Sequence, residues 1–350
     1  MNTTSISPEV AHLPRQSPRG HRIRRWSGRA LLGLLALFAG LAALGAGYEA
    51  IMAARDAERY PPPGQLVDVG GYRLHIDCQG QGGPTVVLVT GLGGASLLWS
   101  RVHPVLVPFA RVCVYDRAGL GWSDSSTKPR TPSAVADELH TLLVNAHVPG
   151  PYVLVGASIG GKYIRMFAEQ YPDAVAGLVL VDARHESVDA ALAPGEQAAA
   201  LQAAERDGRL YWWLGRLGIM RLFGGRLAAA TSPGAAMLPS EISTLLMLHA
   251  SRPQSIEAML AESADMTADD QRLRAARPLG RLPLIVLAAD SSIAHSEDWG
   301  AAQEAQARLS SNNRLIVVSN SSHFVSFDQP QAIINAVQQV LASTRAGQLL

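Results

Sequence analysis

The chain has 350 residues, 48% of them hydrophobic, and a formal net charge of +1. That is enough apolar material for one large α/β domain with an appendage, and the balanced charge excludes a global field that would draw it to nucleic acid. No His/Cys cluster has zinc spacing and no Gly-rich loop ends in Lys-Ser/Thr, so neither a metal nor a cofactor is expected.

Residues 1–29 are polar at first and then basic, and are expected to be disordered. Arg15, Arg19, Arg22, Arg24, Arg25 and Arg29 accumulate there against one acid, Glu9. Ala30 to Tyr48 follows without a charge, 19 residues in all. That is close to the ~20 needed to cross a bilayer core and longer than the ~7–15 of a signal-peptide core. A transmembrane helix over residues 30–50 is predicted. The arginines would stay cytoplasmic and the rest of the chain would lie outside the cytoplasm; the alternative is secretion after cleavage of a signal peptide. Residues 51–64, ending in Pro61-Pro62-Pro63-Gly64, read as a linker with a stiff polyproline end.

Gln65 to Asp68 and Tyr72 to Cys78 read as strands around a Gly70-Gly71 hairpin turn. Thr85 to Val89 is continuously apolar, as a strand covered on both faces requires, and runs into Thr90-Gly91-Leu92-Gly93-Gly94. A helix interrupted near Pro104 and Pro108 is predicted around Leu97 to Phe109, then a strand over Arg111 to Tyr115. Asp116 and Arg117 read as structural, the first holding the following turn and the second bracing nearby carbonyls or carboxylates. Cys78 and Cys113 each fall in a strand, where a small buried hydrophobe is the default. An oxidising compartment would permit a bridge, but the demanding geometry of a disulfide weighs somewhat against it. Ser133 reads as the N-cap of a helix to about Asn145.

Tyr152 to Val155 is the next strand, followed by Gly156-Ala157-Ser158-Ile159-Gly160 and a helix that stops at Pro172. Strand, Gly-x-Ser-x-Gly, helix is the context of a nucleophile elbow, in which Ser158 sits on a strained turn above the sheet edge. The glycines belong there because side chains would collide with the neighbouring strand and helix. Lys162 on that helix reads as solvated. Gly177 to Val181 is a strand ending in Asp182. From Glu186 to Leu279 no strand signal appears, and the stretch reads as a helical insertion, with large apolar groups at Tyr211, Trp212 and Trp213. Pro283 to Leu287 resumes the strands and ends near Asp290. Arg314 to Val318 is the last strand, with His323 on the loop after it and a terminal helix beginning at Gln329 or Gln331. Eight strands alternating with helices predict a mostly parallel sheet.

A serine hydroxyl needs a base to remove its proton. His323 lies beyond a strand end, where the elbow would place Oγ; the other histidines lie before the span, within strands or helices, or in the insertion. The base in turn needs a carboxylate. Asp182 and Asp290 both end strands and both precede His323. A developing oxyanion needs two aimed N–H donors, for which Ile159 and Leu92 are the candidates. Gly91 and Gly93 would let the backbone approach the substrate.

With these landmarks the chain resembles the α/β-hydrolase superfamily over about Gln65 to Ser343. The resemblance rests on Val89 to Gly94, Tyr115 to Asp124, Val155 to Gly161, Gly177 to Asp182 and Ser322-His323-Phe324 followed by Asp328-Gln329-Pro330. It departs from the family's frequent His at Thr90 and at Ala157. Most members carry the acid after the seventh strand, where this chain has Ser292, and Asp290 falls two short. Some lipases use an acid at the end of the sixth strand, which favours Asp182. The resemblance implies a hydrolase core in two parts, 65–185 and 280–350, with residues 186–279 as a helical cap. It implies acyl transfer to water, because relatives that open epoxides or remove halide use Asp at the elbow. The expected substrate is an ester, thioester or lactone with a hydrophobic part, in a pocket that includes Gly91, Gly93, Tyr211, Trp212 and Trp213. C–C bond hydrolysis or perhydrolysis on the same residues, and a non-catalytic ligand-binding module, are the alternatives.

Overall fold

Eight strands form one sheet in the order β1-β2-β4-β3-β5-β6-β7-β8 in a computed structural model that describes residues 19–191, 194–223 and 238–350. The strands are β1 (Gln65–Asp68), β2 (Arg73–Gln79), β3 (Thr85–Val89), β4 (Val112–Tyr115), β5 (Tyr152–Ala157), β6 (Val175–Val181), β7 (Leu284–Ala289) and β8 (Asn313–Val318). β2 pairs antiparallel with β1 and β4, and every other pairing is parallel. Residues 1–18 of the expected disordered segment and residues 192–193 and 224–237 of the predicted insertion lie outside the described residues, whereas Arg19 to Arg29, expected to be disordered as well, is helical.

The strand side chains alternate between two cores, as the period of two demands. Val87, Val89, Leu154, Leu178, Leu180 and Val286 face one, with Leu139 of α3 (Pro132–Asn145) and Phe167 of α4 (Gly160–Gln170). Val86, Leu88, Val153, Val155, Val179 and Leu287 face the other, with Ile333 and Val337 of the terminal helix Pro330–Ala346. Between β6 and β7 the described residues form no strand and carry the helices α5 (Glu186–Ala191), α6 (Pro194–Arg216), α7 (Ser240–Ala250), α8 (Pro253–Asp265) and α9 (Asp270–Ala275).

Several local expectations are corrected. One helix, α1, runs from Arg19 to Arg59, so the first part of the expected linker is helical and only the proline run stops it. The interrupted helix expected around Leu97 to Phe109 is a 3₁₀ turn (Ser96–Trp99) and a short helix, α2 (His103–Leu106), which Pro104 opens rather than interrupts. Thr131, not Ser133, caps α3: its hydroxyl accepts the Ala134 N–H at 3.2 Å, with Pro132 in the first turn. Lys162 is fully buried and paired with Asp270 at 2.6 Å, because α9 closes over its helix. Cys78 and Cys113 are bridged; they are direct cross-strand partners of β2 and β4, with Cα atoms 4.0 Å apart.

Candidate active site

Ser158 leaves β5 with a φ of 54°, a conformation rarely adopted by a residue with a side chain. It is held there from two sides: its N–H donates to Val181 O at 3.1 Å, and its carbonyl accepts the Arg184 N–H at 2.9 Å. The flanking glycines are sterically required. A Cβ on Gly156 would lie 2.5 Å from Gly160 O, and one on Gly160 would lie 2.7 Å from Val89 O and Thr90 O. The Thr90–Gly94 turn comes equally close, since a Cβ on Gly91 would sit 3.0 Å from Ser158 Cβ.

Asp182 ends the neighbouring strand, also at positive φ and fully buried. Every lone-pair direction of its carboxylate is used. Oδ1 accepts the Ala289 N–H at 3.0 Å and Trp299 Nε1–H at 2.9 Å; Oδ2 accepts the Ser292 hydroxyl at 2.6 Å and meets His323 Nδ1 at 2.6 Å. A carboxylate at Nδ1 keeps the proton on that nitrogen and leaves Nε2 as the basic atom. The His323 side chain is 36% exposed, with the Trp299 ring edge-on at 5.6 Å. No hydrogen bond joins its imidazole to Ser158 Oγ in this arrangement; catalytic contacts of this kind often tighten only with substrate bound.

Asp290 does not reach His323. It opens the helix Asp290–His295, and its carboxylate accepts the N–H groups of Asn320 at 2.7 Å and Ser321 at 3.0 Å. These donors hold it below the ordinary carboxylate range. Asp328 accepts both the N–H (2.7 Å) and the hydroxyl (2.6 Å) of Ser322. The loop that carries His323 is thus pinned by a carboxylate on either side.

Ile159 follows Ser158 in the chain and Leu92 follows Gly91, and neither N–H is engaged by another described group. Ile159 is the N-cap of α4, where free N–H groups are intrinsic. Gly93, by contrast, donates its N–H to Glu262 Oε2 of α8 at 3.0 Å. Arg117 locks the same turn: it contacts Glu262 at 2.5 Å, Thr90 O at 2.9 Å and Gly91 O at 2.7 Å. Both members of this ion pair are buried; burial works against the charged guanidinium, but the Glu262 charge and hydrogen bonds outweigh it and raise its pKa, so it stays protonated. Asp116 takes the Ser96 N–H at 2.6 Å and the Trp122 N–H at 3.2 Å, and so holds its turn as expected.

Among the described residues no hydrogen bond or ring contact joins Tyr211, Trp212 or Trp213 to the turn at Gly91 and Gly93. Gly208 and Gly215 let α6 pack closely on Leu260 and Ser251, which turns Trp212 toward Glu257 and leaves Trp213 58% exposed. Met259 of α8 fills the space above Gly93 instead, 2.8 Å from where a Cβ would be. Sequence reasoning missed Glu262, Met259 and Trp299, which lie in helical stretches with no motif. Ser292 stood at the register where the resemblance implies an acid, and that was its signal. Among the described residues no three His, Cys, Asp or Glu side chains converge as metal ligands.

Residues 84–330 match the family model described as the alpha/beta hydrolase fold. An uncharacterized protein of Schizosaccharomyces pombe is 31% identical over 226 residues; these are 64% of this chain but 40% of that relative's length. An epoxide hydrolase structure superposes with a TM-score of 0.62 at 21% identity, covering 79% of this chain and 98% of the other. A thermophilic esterase from Thermogutta terrifontis superposes with a TM-score of 0.59 at 23% identity, covering 80% and 98%.

Proposed function

The chain belongs to the α/β-hydrolase family, and from that premise we propose that it is a serine hydrolase of lipophilic carboxylic esters, anchored in a membrane by α1. The observation that carries the proposal is the buried Asp182 carboxylate 2.6 Å from His323 Nδ1, one strand from a serine held at a φ of 54°. A serine at the elbow, where a carboxylate would be needed to open an epoxide, favours acyl transfer.

Ser158 Oγ attacks the ester carbonyl as its proton passes to His323 Nε2. The imidazolium is stabilised by Asp182. The oxyanion is met by the N–H groups of Leu92 and Ile159, a reading supported by neither donor being engaged by another described group. The imidazolium gives its proton to the departing alcohol, leaving an acyl-Ser158. Water then attacks with His323 again as base, and the acid is released. The apolar surroundings supplied by Met259 favour a hydrophobic group on the substrate.

Among the described residues one helix, Arg29–Arg59, is long and apolar enough to cross a bilayer. The Cys78–Cys113 bridge supports an oxidising compartment for the catalytic domain, on the side opposite the arginine cluster. The test is Ser158→Ala. That variant should lose p-nitrophenyl ester turnover and labelling by a fluorophosphonate together, with its melting temperature kept. Retained turnover would refute the assignment.

A further inference from the structure

We infer that the edge of the cap formed by the end of α6 and residues 217–223 lies in the bilayer interface; the inference rests on α1 being the membrane span. α1 does not leave the membrane as a free tether. At Gly45 it approaches Leu217 so closely that a Cβ there would lie 2.6 Å from Leu217 O, and the Tyr48 ring covers Gly218. Just beyond, Arg221 binds Glu49 at 2.7 Å and Asp56 at 2.5 Å. Gly45 and Tyr48 belong to the charge-free run, which ends at Glu49. If that run fills the hydrocarbon core, the cap segment packed on it must sit at the level where the core ends.

The side chains at that level fit such a site. Leu210 and Trp213, one turn apart on α6, are 57% and 58% exposed, and Leu222 and Phe223 are 60% and 57% exposed. Aromatic and aliphatic side chains of this kind prefer the boundary between headgroups and acyl chains. Arg221 is neutralised by its two partners on α1, while the exposed Arg209 and Arg216 of α6 are cations of the kind the headgroup level accepts. The hydrolase core rides higher: Trp122 bonds the Tyr60 carbonyl at 2.9 Å, ~18 Å along the helix from Tyr48 at 1.5 Å per residue. One helix layer separates this edge from the proposed oxyanion turn, since α8 packs on α6 through Leu260 and touches Gly93 through Met259. A membrane-dissolved ester would therefore meet the cap before it meets bulk water.

The experiment uses the full chain in phosphatidylcholine–phosphatidylglycerol vesicles. Both native cysteines are in the disulfide, so a single added cysteine takes a nitroxide selectively. Labels are placed by Trp213→Cys and Leu222→Cys, by Leu35→Cys inside the span, and by Glu304→Cys on the far side of the domain. Circular dichroism melts confirm that each variant folds. The ratio of oxygen to nickel-chelate accessibility should be several-fold higher at 213, 222 and 35 than at 304. A water-like ratio at 213 and 222 with a lipid-like ratio at 35 would overturn the inference and spare the anchor. A water-like ratio at 35 would remove both. Protection of 213 and 222 from both agents would mean that protein, a second copy included, covers the edge, and would also overturn it.

Discussion

Ser292 donates its hydroxyl to the same oxygen of Asp182 that holds His323, both at 2.6 Å. Under the proposed assignment of Asp182 as the acid, the register at which the family resemblance implies an acid supplies instead a hydroxyl that orients one on the neighbouring strand. Asp182→Asn should lower kcat about 10³–10⁴-fold with little change in KM, because the amide favours the wrong tautomer of the imidazole. Asp290→Asn should cost far less in kcat. Restoring a carboxylate at the other strand end, by Ser292→Asp in the Asp182→Asn background, should recover part of the loss. Steady-state kinetics of the three variants on one p-nitrophenyl ester decide the matter; equal losses for Asp182→Asn and Asp290→Asn would sink it.

Glu262 ties the cap to the turn beside Ser158, through Gly93 N–H and Arg117. Glu262→Ala strands a buried guanidinium and should cost about 3–5 kcal/mol in unfolding free energy. The paired replacement Arg117→Met with Glu262→Leu removes both charges and should recover most of that stability. It should not recover kcat, because the Thr90 and Gly91 carbonyls and the Gly93 N–H lose the groups that orient Leu92. Denaturant melts and kcat, measured side by side, separate the two effects. A double variant with full kcat would show that the brace is only structural.

What the sequence made legible is local. The eight strands, the elbow and the loop of His323 announce themselves by apolar runs that end in glycine, aspartate or serine, and a strand end fixes where a side chain can point. The residues alone leave Asp182 and Asp290 level because both end strands, and only the resemblance favours Asp182; the tertiary structure sends Asp290 to the Asn320 and Ser321 N–H groups. Lys162 reads as a surface residue because burial of a charge depends on a partner, Asp270, that lies 108 positions away. The Trp-rich stretch of α6 reads as a pocket wall because its composition is apolar, but Gly208 and Gly215 decide which face packs, and they leave Trp213 outside.

The Cys78–Cys113 bridge closes a separation of 35 residues across β2 and β4. It constrains the unfolded chain, and its loss should cost about 2–4 kcal/mol. Cys78→Ser with Cys113→Ser should lower the melting temperature by several degrees while ester turnover at 25 °C persists, because the bridge is remote from Ser158. Adding dithiothreitol should lower the melting temperature of the parent protein and leave that of the double variant unchanged.

Acid should destabilise the fold before it protonates ordinary carboxylates. Burial, helped by the Arg165 charge, pushes His185 down to about 4, and burial with the Arg252 charge pushes His249 down to about 4. Asp116 works against this at His249, whereas the His75 charge would add to it. In the unfolded chain both imidazoles titrate near 6.5, so between about pH 6.5 and 4 the unfolded state binds protons that the folded state refuses. Their contribution is complete above pH 6.5 and is lost as pH falls toward 4, at about 1–3 kcal/mol for each histidine. Glu186 behaves differently. Burial raises its pKa, but the bonds from Arg165 at 2.7 and 3.0 Å prevail and hold it at about 2. Its contribution therefore survives to about pH 4.5 and fades only below that. Melting temperatures measured from pH 4 to 8 should fall steadily on the acid side of 6.5. His249→Gln should flatten the slope between pH 6.5 and 4, whatever it does to the stability at pH 8, and an unchanged slope in that variant would remove His249 from the account.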